Sequence, residues 1–404
     1  MTRGPATPDA FAPDDPAFLA DPWPAYALLQ REAPVSWHAP SGLWLVARLA
    51  DVEALLRDRR MLRVFTPRVP EERFAVWNAL NARAMLDLEG ADHARQRRLV
   101  SAVFSARRVE ALRPRVAALA AGLLDAAPVE DGVLDVVTAL AEPLPVAVIA
   151  ELLGVPEADR PLLRPWSAAI VGLYELAPGE EAAEAAVTAA AEFDSCLRDL
   201  VAHRRRHPGD DLLSALVGVV DAGDRLSEDE LVAVAVLLLN AGHEATVNAI
   251  GNAVRGLLDH PEALARLREE PGLLPGAVEE LLRHDGPLSL FQRTAAEEVV
   301  VGAGDDAVTV GAGERVGLLL AAAGRDPDAV DAPHAVRLAR PRVPHAAFGG
   351  GSHYCLGAPL ARVELGEALA ALLARAPGLA PAGEGLRRPG FQFRGWRHLP
   401  VSTG

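Results

Sequence analysis

Cys355 and His353 stand two positions apart in the stretch FGGGSHYCLGAPLARVE, residues 348–364, behind a run of glycines and ahead of an Ala/Leu-rich helical pattern. Glycines allow positive φ angles and a close backbone approach to a flat ligand. A cysteine in such a loop, at the start of a helix, has its sulfur facing backbone N–H groups and the positive end of a dipole. Both favour the thiolate. A lone cysteine is more often a small buried hydrophobe, but that reading accounts for neither the glycines nor the histidine. The only other cysteine, Cys196, sits in a separate helical segment, and no Cys-x-x-Cys pair exists. A zinc or iron–sulfur cage therefore lacks ligands. One thiolate acting alone suits a metal already held by another chelate, for which haem iron is the usual case.

The stretch resembles the haem-binding signature of the cytochrome P450 family, Phe-Gly-x-Gly-x-His-x-Cys-x-Gly, at Phe348, Gly349, Gly351, His353, Cys355 and Gly357. The resemblance implies haem b (iron-protoporphyrin IX) with Cys355 as the axial iron ligand. It also implies that Phe348 shields the sulfur and that His353 meets a propionate. In this family the thiolate pushes electron density toward O–O cleavage.

Other motifs follow in the family's order. His93 and Arg97 are spaced i,i+4 and share a helix face; they match a His-x-x-x-Arg pair that holds the propionates, a task suited to the guanidinium fork. Arg293, in Phe291-Gln292-Arg293, matches a third propionate ligand on a strand. Ser227 and Glu230 have capping-box spacing and open a long helix that reaches Ala241-Gly242-His243-Glu244-Ala245-Thr246. A glycine followed by polar residues inside an apolar helix breaks a local rule, and such conflicts tend to mark function. A packing notch against a neighbouring helix would also explain Gly242. By resemblance this is the distal oxygen-binding motif, so Gly242, Glu244, Ala245 and Thr246 are the catalytic candidates. The first of the family's two threonines is Ala245 here, and a methyl group neither donates nor accepts a hydrogen bond. Thr246 lies about 100° further round the helix. A substrate hydroxyl or an ordered water would supply the missing link. Alternatively the reaction needs less such help, as in oxidative C–C or C–N coupling or peroxide-driven turnover. Glu280 and Arg283 match the family's Glu-x-x-Arg; the further arginine expected about thirteen residues before Phe348 is Ala335, followed by Val336, with Arg337 as the substitute at hand.

These motifs need a large scaffold. The chain has 404 residues, half of them apolar, and no linker or repeat divides it. The expectation is one domain, residues 1–404, mainly α with a smaller β part; the resemblance implies the P450 fold, with haem between the distal helix and the cysteine loop. Residues 42–48 read as a strand and 50–58 as a short amphipathic helix. Prolines break the helical pattern of residues 108–207. By resemblance, residues 63–92 form part of the substrate roof and 166–190 a lid. The pocket candidates are Phe74, Trp77, Tyr174, Asn240, Ala241, Leu290, Phe291, Phe391 and Phe393, which suit an apolar or aromatic molecule.

The net charge of −15 argues against a general nucleic-acid binder. Yet Arg95, Arg97, Arg98, Arg107, Arg108, Arg113 and Arg115 face one acid, Glu110, over residues 93–115. Such runs are usually a solvated face; by resemblance this one steers an acidic ferredoxin. The N-terminus lacks a signal-peptide pattern, and the apolar run Leu231–Leu239 is shorter than the roughly 20 residues that span a bilayer. The expectation is a cytoplasmic haem-thiolate monooxygenase that activates O2 to oxidise a small, largely apolar natural product, with electrons from ferredoxin and ferredoxin reductase. A haem sensor or carrier would also need Cys355 and the propionate ligands, but neither the notched acidic helix nor the arginine patch.

Overall fold

A computed structural model describes residues 4–220, 223–340 and 344–404. The chain is 54% helical and 11% strand, mainly α as expected. The strand predicted over residues 42–48 is β2 (Leu43–Val46), paired with β1 (Val35–His38). The short helix predicted after it is α1 (Leu49–Arg57), leading to β3 (Met61–Leu62). Helices α2 (Ala75–Arg83) and α3 (Gly90–Val103) come next. Pro143 and Pro161 open α4 (Pro143–Leu153) and α5 (Arg160–Gly172), where a missing N–H costs nothing. Pro165 lies inside α5 and does not end it. A loop then leads to α6 (Glu180–Arg206), giving the helix–loop–helix expected of a lid.

The centre of the fold is α7 (Glu228–Leu258). Its capping box forms as predicted: Ser227 Oγ accepts from the Glu230 N–H, and Glu230 Oε2 accepts from the Ser227 N–H at 2.8 Å. Helices α2, α4, α5 and α6 pack around it, as do α8 (Leu274–His284) and α9 (Ala358–Arg375). By length and mean apolarity α7 could cross a membrane, which the short contiguous run did not reveal, but 67% of its most apolar window is buried in this core. Beside the helices, β4 (Phe291–Ala295) and β5 (Arg315–Leu318) complete a five-stranded sheet of order β1-β2-β5-β4-β3, in which only β2 and β5 run parallel. The sheet carries Phe291 and Arg293 toward the cysteine loop. A hairpin of β6 (Leu386–Arg387) and β7 (Trp396–His398) returns the chain end to α7.

The Glu-x-x-Arg pair is buried, unlike a surface helix pair. The Arg283 guanidinium donates to both Glu280 oxygens at 2.8 Å and to the carbonyls of Gly324, Pro333 and Ala335. The second arginine on Glu280 is Arg340, at 3.1 Å. Arg337, the arginine nearest the expected position, contributes only its backbone N–H to Glu280 and turns its side chain to Asp331. The reason is reach: Arg340 is buried beside the pair, whereas the Arg337 side chain is half exposed.

Among the described residues one buried acid is unsatisfied. Glu364, in α9, has no exposure and no hydrogen bond from any described residue to either oxygen, and burial pushes its carboxyl well above the usual range. An acid that keeps its proton in the folded state carries no ionisation penalty below its unfolded pKa. Above that it destabilises the fold by about 1.4 kcal/mol per pH unit until the folded carboxyl ionises. Glu364→Gln is therefore expected to raise the melting temperature more at pH 8 than at pH 5. Equal shifts at both pH values in thermal unfolding would sink the assignment of a protonated acid.

Candidate active site

The cysteine loop closes on itself through the Cys355 N–H, which donates to the Phe348 carbonyl at 3.0 Å. Gly349 and Gly351 take φ angles of +67° and +64°, as their residue type predicts. The close approach they permit is to protein. A Cβ on Gly351 would stand 2.2 Å from the Leu56 carbonyl of α1, and one on Gly349 would stand 2.9 Å from the Phe291 ring. Phe348 is buried with the Arg362 guanidinium stacked over its ring at 4.4 Å, and Arg362 in turn pairs with Glu279 of α8. The backbone N–H groups of Gly357 and Ala358 face the Cys355 sulfur, and Arg97 and Arg362 add positive potential. The expectation that these favour the thiolate holds in direction only. Burial outweighs them and pushes the thiol up, so a metal must displace the proton, as coordination does.

The histidines and arginines expected to bind carboxylates gather on one side of this loop. His93, on α3, stacks on His353 with ring centroids 4.3 Å apart. His353 Nε2 lies 3.0 Å from Glu89, which also accepts from the Arg63 backbone N–H, while the Arg63 guanidinium pairs with Asp87. Burial holds His353 down to about 4 and lowers His93 as well, so both rings are neutral at pH 7. Arg97 donates to the Tyr354 carbonyl at 2.6 Å and sits within electrostatic reach of Cys355. Arg293 is buried, and burial pushes it down to about 10, with Arg63 adding to the effect. It donates to the Gln292 carbonyl and makes no ion pair among the described residues. A buried guanidinium without a carboxylate is costly and calls for an anion. Propionates beside a free thiol answer that need, so the donor set fits a haem held by Cys355, Arg97, Arg293, His93 and His353. Glu89, Arg63 and Asp87 were not legible in the sequence, because each is a single polar residue whose partner is distant in the chain.

On α7, Ala241 is exposed and Leu238 and Ala245 are half-buried in a helix whose other residues are mostly buried. Their spacing puts the three on one stripe of α7, and that stripe bears only hydrocarbon. Gly242 points elsewhere: a Cβ there would stand 3.2 Å from Ile149 of α4, so the glycine is the packing notch. Thr246 donates back to the Gly242 carbonyl at 3.3 Å. Arg388 donates to Glu244 Oε2 at 3.2 Å, and His243 Nε2 lies 3.3 Å from Oε1 without a hydrogen bond among the described residues. Burial alone would raise this carboxyl, but His243 and Arg388 bring it below its usual range. The side-chain Oδ1 of buried Asn240 has no partner among the described residues.

The pocket candidates divide. Trp77 donates to the Ile170 carbonyl at 3.4 Å and packs 6.2 Å from Tyr174, whose hydroxyl donates to Asn81 at 2.8 Å. These rings tie the roof to the lid, and Phe74 is buried beside them under Arg73. Phe291, Phe393 and Ala241 keep open surface. Leu290 and Phe391 do not line the pocket. Leu290 has no exposure, and Phe391 packs on Phe11 and Phe18 at 5.6 and 6.1 Å, in the core that the N-terminal segment builds. The alternating Phe pattern gave no sign of that segment.

Similar proteins carry the same arrangement of elements. The family model "Cytochrome P450" matches residues 180–375. The cytochrome P450 monooxygenase PikC of Streptomyces venezuelae is 43% identical over 399 residues, covering 95% of this chain and 91% of that protein. The 6-deoxyerythronolide B hydroxylase of Saccharopolyspora erythraea is 40% identical, covering 95% and 96%. The crystal structure of P450BioI, in complex with an acyl carrier protein bearing hexadec-9Z-enoic acid, superposes with a TM-score of 0.89 at 35% identity, covering 96% of this chain and 99% of that one. With this fold, this cysteine loop and these relatives, the chain belongs to the cytochrome P450 family and is a haem-dependent monooxygenase.

Proposed function

We propose that this monooxygenase hydroxylates a small, largely apolar natural product in a secondary-metabolite pathway, in the cytoplasm and as one functional domain. The hydrocarbon stripe of Ala241 and Ala245 carries the reading, because it offers a substrate contact area without a competing hydroxyl. The named activities of the relatives support it. Haem b, when bound through Cys355, supplies the O2 activation that oxidises a C–H bond. The chain's own residues do the rest. Arg97, Arg293, His93 and His353 orient the propionate edge, and Trp77 with Tyr174 seals the roof against water. With no threonine at position 245 and Thr246 bonded to Gly242, a hydroxyl of the substrate or an ordered water carries the proton between Glu244 and the reacting centre. The same methyl stripe favours a second reading, oxidative C–C or C–N coupling of an aromatic substrate or peroxide-driven turnover, in which that proton path matters less.

Electrons would come from a ferredoxin with its reductase, docking on the basic segment formed by α3 and the residues that follow it. Much of that segment's charge is already used. Arg95 pairs with Glu230, Arg113 with Glu110 and Glu367, and Arg115 with Glu151. Arg107 and Arg108 remain exposed without an acid among the described residues, and they are the proposed contacts.

A natural-product library screened by the shift of the haem absorption band, followed by NADH consumption with a ferredoxin system, tests the reaction class; a coupled dimer in place of a hydroxylated product selects the second reading. Arg293→Gln is expected to weaken haem retention about tenfold or more, the worth of a hydrogen bond to a charged group, and unchanged retention in haem-transfer kinetics would remove Arg293 from the site. Ala245→Thr is expected to slow hydrogen peroxide release several-fold at unchanged regiochemistry, as a donor worth about 1 kcal/mol enters the path. Faster peroxide release with the same product would overturn the proton path described above.

A further inference from the structure

Residues 63–92 carry four arginines, and three of them meet an acid. Arg63 pairs with Asp87 at 2.8 Å, Arg73 with Glu180 of α6 at 2.6 Å, and Arg83 with Asp229 of α7 at 3.9 Å. Arg68 makes no ion pair among the described residues. Glu71 and Glu72 follow it closely in the chain but are exposed and do not pair with it. Burial alone lowers the pKa of its half-buried guanidinium, with no neighbouring acid to offset it.

The place of Arg68 is nevertheless fixed. The Asn78 amide of α2 holds both of its backbone groups: the Arg68 N–H donates to Asn78 Oδ1 at 2.9 Å, and Asn78 Nδ2 donates to the Arg68 carbonyl at 3.0 Å. The guanidinium donates to the carbonyl of Leu173, the residue that ends α5, and lies over the Trp77 ring, 5.9 Å from its centroid. Trp77 is itself wedged between Phe65 and Tyr174, at 6.3 and 6.2 Å. Arg68 thus stands at the seam between α2 with its preceding loop and the start of the loop that joins α5 to α6. The flanking Val64 and Val69 are 54% and 74% exposed, so this loop shows water both apolar side chains and an unpaired cation.

One carbonyl and one indole face use only part of the fork. A clasp between the two segments needs no charge, since a neutral amide would donate to Leu173 as well. What a guanidinium adds is a pair of parallel N–H groups matched to a carboxylate. Holding a desolvated cation ready without an acid lowers the cost of ordering it when an anion arrives.

We infer that Arg68 binds a carboxylate of the substrate, so that the natural product oxidised here is an acid with an apolar body. The hydrocarbon stripe of α7 takes the body, and the seam takes the charged end. This rests on the proposed function, in which residues 63–92 and the loop between α5 and α6 cover the substrate.

The test is a series of alkanoic and arylalkanoic acids of increasing length, each beside its methyl ester, titrated into the haem-loaded protein and read by the shift of the haem absorption band. At the best length the acid is expected to bind about tenfold or more tightly than its ester, the worth of a hydrogen bond to a charged group. Arg68→Gln is expected to erase that preference by weakening the acid more than the ester, and Arg68→Lys, which keeps the charge but not the fork, to retain part of it. A series in which no acid outbinds its ester overturns the inference, whether or not the variants fold. Equal weakening of acid and ester in Arg68→Gln also overturns it, leaving Arg68 a clasp between the two segments. Turnover with a ferredoxin system separates this site from the proposed reaction. Acids bound through Arg68 but never hydroxylated overturn the reaction and leave the site standing, whereas neutral compounds hydroxylated in preference to every acid, equally by the parent protein and Arg68→Gln, overturn the site and leave the reaction.

Discussion

A buried guanidinium, that of Arg283, holds the part of the chain on which the rest of this structure depends. It joins α8 to the carbonyls of Gly324, Pro333 and Ala335 while both Glu280 oxygens take its remaining charge. Arg340 closes the same cluster a few residues ahead of Phe348. A cation taken out of water is tolerable only when its donors are nearly all satisfied, so the backbone that delivers the cysteine loop has little freedom. Gly324 shows how tight the fit is, since a Cβ there would stand 2.3 Å from the Arg283 carbonyl.

From that brace the loop is packed rather than suspended. Gly351 lies on the backbone of α1 and Gly349 on Phe291, while Arg362 is stacked on Phe348 and tied to Glu279. The sulfur is thereby fixed, in surroundings that leave it a thiol until a metal arrives. The groups around it would suit carboxylates. Neutral His93 and His353 can each give one N–H, and Arg293, which feels Glu89 and Asp87 only at a distance, makes no ion pair among the described residues. Burial does the same physical work in all three places. It disfavours the charged form of each group and so makes an incoming ligand of the right charge more favourable.

The distal side follows a different logic. The open stripe of α7 at Leu238, Ala241 and Ala245 is hydrocarbon, and the polar groups of the same helix turn away from it. Thr246 is spent on Gly242, Glu244 on Arg388, and Asn248 and Asn252 on the terminal segment. The notch at Gly242 belongs to Ile149, so the helix is broken for packing and its acid is held by a segment that also grips the lid.

What the sequence determined by itself was whatever local spacing and residue chemistry control. The positive φ angles of Gly349 and Gly351, the capping box at Ser227, the shared face of His93 and Arg97, and the Glu280–Arg283 pair all depend on residues within one turn or one loop. The methyl at Ala245 was equally plain, since it is a matter of residue type. Tertiary structure alone decided the partners that close at long range. Arg340 rather than Arg337 brought its side chain to Glu280, Arg388 came from the far end of the chain to Glu244, Glu89 met His353, and Glu175 met the terminal turn. It also gave three arginines of the basic run acidic partners, moved Leu290 and Phe391 into the N-terminal core, and left Glu364 without a partner among the described residues. Single polar residues carry no periodicity, and burial depends on which elements arrive from elsewhere in the chain, so neither can be read until the fold brings them together.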